Sequence, residues 1–279
     1  MIKGFLHPTK SILIGISAAF VAISLLTIIP VAWAISLALK DNSETVGGGF
    51  FPKSPQWGNF YLAWQQYEMA IFFQNSVIIT AISVLLTTFV AFIAGYAFTK
   101  LKFTGCEIVF RIFLVGIIIP PAALVIPLLL ELNSIHLYNT QIGLALTYSA
   151  LGLPLAILIF RGFMSTFPNE IIEAARIDGC KEHQIIWRLL TPLSKGPIST
   201  VLIVLFLANW NEFILALVLL RDADKYTLPV GISSQIGQYT SQYNLISAAS
   251  LIASIPVFIF YLFLQRNFER GLAEGAIKA

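Results

Sequence analysis

Charge is what this 279-residue chain has least of. Asp, Glu, Lys and Arg make up 11% of it, against roughly 25% in soluble domains, so it cannot dress an ordinary wet surface. Cysteine is nearly missing: Cys106 and Cys180 stand alone, too few for a disulfide framework. The three histidines, His7, His136 and His183, fall in different connecting segments, which excludes a histidine metal cluster. No Gly-x-x-x-x-Gly-Lys-Ser/Thr phosphate loop occurs; Gly47-Gly48-Gly49 lacks the lysine, so the chain cannot hold ATP by that device. No Ser-His-acid set shares one face of one compartment, which argues against hydrolysis. A net charge of +3 is too small to argue for nucleic acid. What is present is apolar: 57% hydrophobic residues and a mean hydropathy of +0.83.

Those residues lie in uncharged blocks long enough to cross a bilayer, which takes about 20 helical residues. Six blocks qualify, at about 11–39, 70–99, 112–130, 142–160, 198–220 and 246–264. They are continuous apolar runs, without the in–out alternation of barrel strands, and a helix satisfies its own backbone in lipid. An all-α membrane protein of six spans, forming a single domain over residues 1–279, is the expectation. Lys3 and Lys10 before the first block suggest a signal peptide, but the apolar stretch is too long and lacks a cleavage site, so it reads as a retained span. With both termini in the cytoplasm, 13 of the 17 Lys and Arg lie inside and four outside, as the positive-inside rule requires. Cys106 and Cys180 then fall on the reducing side, unpaired.

The inner segment 161–197 holds nearly a third of the charges. Pro168-Asn169-Glu170 is a helix start, with proline in the first turn and a carboxylate at the positive end of the dipole. Ile171, Ile172, Ala174, Ala175 and Ile177 follow, and Gly179 is suited to a left-handed cap. A second short helix begins near Lys181, carries Ile185, Ile186, Leu189 and Leu190, and ends at Pro192. This pair is too charged to cross the membrane and too apolar to float free. Periodicity alone leaves two readings: it packs on a cytosolic partner, or it lies on the headgroups. The outer segment 221–244 is polar and reads as a solvated connector, or as a surface for a polyol or a protein.

Glu173-Ala174-Ala175-Arg176-Ile177-Asp178-Gly179, with Leu189-Leu190-Thr191-Pro192 further on, resembles the EAA signature of ABC-importer permeases. The likeness covers most of the chain and points to the carbohydrate-uptake, maltose-type branch. Asn75-Ser76, Tyr96-Ala97-Phe98, Phe167-Pro168, Trp210-Asn211-Glu212-Phe213, Thr227-Leu228-Pro229 and Gln265-Arg266 carry it. Thr191 and Leu189 depart from the usual leucine and isoleucine. The resemblance implies a permease subunit, not an enzyme, in the bacterial cytoplasmic membrane. Its implied coupling residues are Glu173, Ala174, Ala175, Asp178, Gly179, Leu189 and Pro192. Its implied partners are a second permease, in that family usually unlike, a pair of cytoplasmic ATPase subunits that bind ATP and Mg, and an extracytoplasmic solute-binding protein. A sugar is the implied substrate, and the chain itself binds no cofactor.

In the fifth span Asn209, Trp210, Asn211 and Glu212 interrupt an apolar run. A mid-membrane carboxylate normally faces protein or water, so these residues line the path or a permease interface, or serve as inter-helix packing glue. Thr227, Leu228 and Pro229 are candidates for facing the receptor. Prolines 120, 121, 127, 154 and 256 must interrupt backbone bonds and kink their spans. The tail from Gly271 either reaches toward the ATPase or frays. An importer for a non-sugar solute, such as glycerol-3-phosphate or its diesters, would carry the same loop. An ion-coupled carrier would need more intramembrane carboxylates than Glu212 or an internal repeat, and a membrane enzyme would need a catalytic set.

Overall fold

A computed structural model describes residues 10–101, 103–238 and 242–276, and every regular element among them is helical. Twelve helices are used here: α1 (Lys10–Ala38), α2 (Gly58–Gln66), α3 (Met69–Lys100), α4 (Cys106–Ile118), α5 (Val125–Ser134), α6 (Gln141–Ser165), α7 (Asn169–Ile177), α8 (Glu182–Leu193), α9 (Lys195–Trp210), α10 (Ile214–Leu219), α11 (Leu228–Gln238) and α12 (Tyr243–Ala276). Among the described residues, α1, α3, α6 and α12 are long and apolar enough to span a membrane. Two bent pairs, residues 106–134 at 97° and 182–210 at 81°, bring the number to as many as six where each pair counts as one span.

The third apolar block is therefore not one straight helix. Pro120 and Pro121 remove two consecutive N–H donors, and a residue before proline is driven out of helical geometry. Ile119 and Pro120 are accordingly extended, with ψ of 118° and 132°. The chain restarts at a right angle. Pro154 and Pro256, by contrast, sit inside unbroken helices. The outer segment read as a connector contains α11, which begins Leu228-Pro229 with proline in the tolerated first turn.

The chain divides into two compact units: one runs to Tyr67 and takes in Gln235–Ile252, the other comprises Glu68–Ser234 and the chain from Ala253. In the first unit the C-terminal end of α1 is closed by the segment after it. Asn59 donates to the carbonyl of Ala38 (2.8 Å), an acceptor that α1 leaves unpaired, and to that of Lys40 just beyond the helix (2.9 Å). Lys40, buried, donates to the Gly49 carbonyl at 2.5 Å and lies 4.9 Å from the Trp33 ring centroid.

The second unit is built on α3 against α6. A Cβ at Gly95 would stand 2.7 Å from the Phe160 Cβ, so only glycine permits this approach. Further along, Ser83, Thr87 and Ser149 exchange hydrogen bonds between the two helices, the small polar contacts that hold helices together in lipid. Arg161 ties α6 to α4: it donates to Glu107 at 2.6 Å and its guanidinium lies 3.7 Å from the Phe110 ring centroid.

Candidate functional site: the elbow between α6 and α9

Local chemistry alone dictates much of the elbow. Helix α7 begins after Pro168 and ends in a complete left-handed cap. The Cys180 N–H donates to the Ala175 carbonyl (2.9 Å), the Gly179 N–H donates to Arg176 (3.0 Å), and Gly179 has φ of +81°. Ile172 is buried in the core and Ala175 half-buried, while Ile171, Ala174, Ile177 and Asp178 face outward. Ile177 is 86% exposed.

Helix α8 continues to Leu193, one residue past the stop expected at Pro192, and widens into π geometry over Ile185–Leu190. Pro192 has no N–H, and the turn before it opens so that the Ile186 carbonyl receives both the Thr191 N–H and its hydroxyl (2.8 Å). Thr191, a departure from the signature, thus has its polar group satisfied within its own helix. Leu190 is buried, Leu189 half-buried and Pro192 exposed. Of the expected coupling residues, Glu173, Ala174, Asp178, Gly179 and Pro192 lie at the surface, while Ala175 and Leu189 hold the elbow to the bundle.

Three attachments went unrecognised in the sequence. The Lys100 ammonium donates to the Phe167 carbonyl (2.7 Å) and to Asn169 Oδ1 (2.8 Å), fastening the start of α7. The Tyr96 hydroxyl donates to Glu182, which also accepts from Arg176 Nε at 2.8 Å. Glu182 holds the Arg176 guanidinium above its ordinary pKa, so it stays charged. Trp187 stacks on Phe89, centroids 5.6 Å apart. The one signal in the sequence was Tyr96-Ala97-Phe98, noted there without a role.

The fifth-span cluster is brought together differently. The span breaks after Trp210 and restarts as α10, and Glu212 caps the restart: its carboxylate accepts from the Leu215 N–H (2.8 Å), the Ala216 N–H (3.0 Å) and the Tyr148 hydroxyl (2.6 Å). Asn209 donates to Ser83 at 2.9 Å, and Trp210, buried, donates to the Ala253 carbonyl at 3.0 Å. Asn211 is exposed and donates back to Leu207.

At the opposite end of this unit lie the candidates for facing the receptor. Thr227 is 4% and Leu228 0% exposed, so neither presents a side chain outward. The Leu228 N–H donates to Ser76 Oγ (2.7 Å), and the Asn75 carboxamide donates to the carbonyls of Asp224 (2.8 Å) and Tyr226 (3.0 Å). Two short motifs far apart in sequence, Asn75-Ser76 and Thr227-Leu228, are thus one anchorage. Pro229 is half-buried, and over residues 221–230 the exposed residues are Arg221, Asp222, Ala223 and Asp224. Asn139, in the left-handed region at φ of +57°, accepts from the Arg221 and Asp222 N–H groups (2.9 and 3.1 Å). Hydrogen bonds from Lys225 first, then Asn139, hold the Asp222 carboxyl below its usual range. Removing the carboxamide in Asn139→Ala is expected to speed amide exchange at Arg221 and Asp222 about tenfold, the weight of one hydrogen bond of ordinary strength; exchange mass spectrometry checks this, and unchanged protection would show that the loop is held by other contacts.

Among the described residues no group of three or more His, Cys, Asp or Glu is placed to hold a metal ion. Residues 88–274 match the family of binding-protein-dependent transport system inner membrane components. The chain belongs to this family. It is a multi-pass inner-membrane permease of a binding-protein-dependent ABC importer, a transport subunit with no catalytic role. The permease is 31% identical to the arabinooligosaccharides transport system permease protein AraQ of Halalkalibacterium halodurans, over 97% of this chain and 98% of the relative. It is likewise 31% identical to the melibiose/raffinose/stachyose import permease protein MelC of Bacillus subtilis, over 97% and 98%. The crystal structure of a bacterial ABC transporter involved in the import of the acidic polysaccharide alginate shares its fold, with a TM-score of 0.82 at 21% identity over 94% of this chain and 99% of that one.

Proposed function

We propose that this permease forms part of the transmembrane path for a sugar or oligosaccharide and is driven by a cytoplasmic ATPase subunit seated on the outward face of α7. The observation that carries the docking is the two-sided character of that short helix. Ile172 and Ala175 hold it to the bundle while Ile171, Ala174 and Ile177 stand bare. Isolated in water, so much exposed apolar surface on nine residues is unfavourable; covered by a partner, it gives a compact contact flanked by Glu173 and Asp178. The distribution of Lys and Arg supports a cytoplasmic position for this elbow and both termini. A second permease completes the path, and a solute-binding protein delivers substrate from the other side. ATP and Mg belong to the ATPase pair. Closure of that pair moves α7 as a rigid body, the spans tilt, and the path opens outward; hydrolysis restores the inward opening. The sugar assignment is supported by relatives such as the arabinooligosaccharides permease AraQ and the melibiose/raffinose/stachyose permease MelC, whose similarity extends over almost the whole chain.

The docking is tested by a single cysteine at Ala174→Cys, with Cys106 and Cys180 replaced by serine. A photoactivatable thiol reagent at that position is expected to yield an adduct with a nucleotide-binding subunit in native membranes. No adduct, with insertion intact, rejects the docking. Uptake that survives ATP depletion and is abolished by a protonophore would assign the chain to an ion-coupled carrier instead.

A further inference from the structure

We infer that Tyr96 is a positioning residue: its hydroxyl, with Glu182 and Arg176, locks both helices of the elbow to α3, so that α3 carries the motion of the elbow into the membrane. The inference rests on the docking reading above and adds the route by which the movement is transmitted.

Phe89, Phe92, Tyr96 and Lys100 follow one another along α3 at intervals of three, four and four residues, which places them on one face. Together they meet three parts of the elbow. Phe89 and Phe92 receive the Trp187 ring of α8, with centroids at 5.6 and 6.3 Å. Tyr96 meets Glu182 at the head of α8, and through that carboxylate Arg176 of α7. Lys100 holds the segment leading into α7. Thus α3, which has no covalent link to the elbow, touches its entry, both its helices and its aromatic side chain.

The covalent links are poor conductors of force by comparison. The elbow joins α6 through Thr166 to Pro168, where the helix has ended, and joins α9 through a bend of 81°. A bend absorbs rotation, whereas a set of side-chain ties along one rigid helix passes it on. Helix α3 is in turn tight against α6 at Gly95, adjacent to Tyr96, so a force applied at the hydroxyl enters a close contact between the two helices.

The middle of the three-residue cluster decides its strength. Arg176 and Glu182 are 38% and 45% exposed, and an ion pair so open to water contributes little alone. Tyr96 is 1% exposed. Its hydroxyl gives the carboxylate a fixed, dry partner, and a hydrogen bond to a charged group is about twice as strong as a neutral one. The buried phenol therefore converts a loose surface pair into an anchored one.

The test measures sugar transported per ATP hydrolysed by the reconstituted importer carrying Tyr96→Phe, Glu182→Gln, or both. Each single change is expected to lower that ratio about tenfold, the scale of one charge-assisted hydrogen bond, with ATP hydrolysis held within about twofold. Because the residues act as one joint, the double variant should be no worse than the more affected single one. The Ala174→Cys adduct should persist in the Tyr96→Phe background, showing that docking survives while transmission is lost. Uptake and hydrolysis falling in proportion, an unchanged ratio, losses that simply add, or loss of the adduct would each overturn the assignment. Should Tyr96→Phe fail to assemble, Glu182→Gln, at the surface, reads the same ratio. Failure of the docking reading itself would show differently, as absence of the adduct in the chain with native Tyr96 and Glu182.

Discussion

Valine in place of Gly179 is expected to cut uptake about thirtyfold, the weight of about 2 kcal/mol of strain at a backbone position that β-branched residues avoid. The angle of +81° at Gly179 aligns two cap hydrogen bonds and turns the chain from α7 into α8. A side chain branched at Cβ forces that angle negative, the cap opens, and Ala174 and Ile177 no longer share a surface fixed relative to the bundle. Asparagine tolerates left-handed geometry and should cost no more than about threefold. Uptake rates in inverted or intact vesicles, with recovery of the ATPase subunit on the purified permease, separate the two variants. Equal transport by valine and glycine chains would mean that the reversal is not needed for coupling.

Leucine at Glu212 is expected to be the most damaging single change within the spans. It leaves the buried Tyr148 hydroxyl and the N–H groups of Leu215 and Ala216 without their acceptor. Each orphaned donor costs about 1–3 kcal/mol, so about 4 kcal/mol is lost in all, and the yield of folded permease should fall at least about tenfold. Glu212→Gln keeps a carbonyl oxygen for the helix start and should retain most of both stability and transport. Thermal unfolding in detergent beside an uptake assay distinguishes capping from a role in the path. A leucine variant as stable as the parent yet inactive would place Glu212 on the substrate route.

The elbow was legible in the amino-acid sequence because its determinants are local. Pro168, Glu170 and Gly179 act on the backbone within a turn or two of themselves, and the alternation of Ile172 with Ile177 follows from helical period alone. The spans were legible as apolar mass but not as directions. Hydropathy counts Pro120-Pro121 among apolar residues and says nothing of a right-angle turn. It equally hides the restart at Ile214, which depends on a carboxylate meeting N–H groups three and four residues ahead. The burial of Thr227 and Leu228 is hidden for a related reason: this stretch is tied to Ser76 and Asn75, some 150 residues away. The Tyr96–Glu182 contact spans 86 residues and has no periodic signature. Pairings of that kind exist only once the helices are packed.

Helix α3 runs unbroken for 32 residues, clasped near its first turns by Asn75 and Ser76 and near its last by Tyr96 and Lys100. At about 1.5 Å per residue it is a beam of about 48 Å, and pivoting it by about 10° about its centre swings each tip about 4 Å in opposite senses. Under the proposed mechanism, a see-saw of these proportions gives the two aqueous compartments a shared moving part.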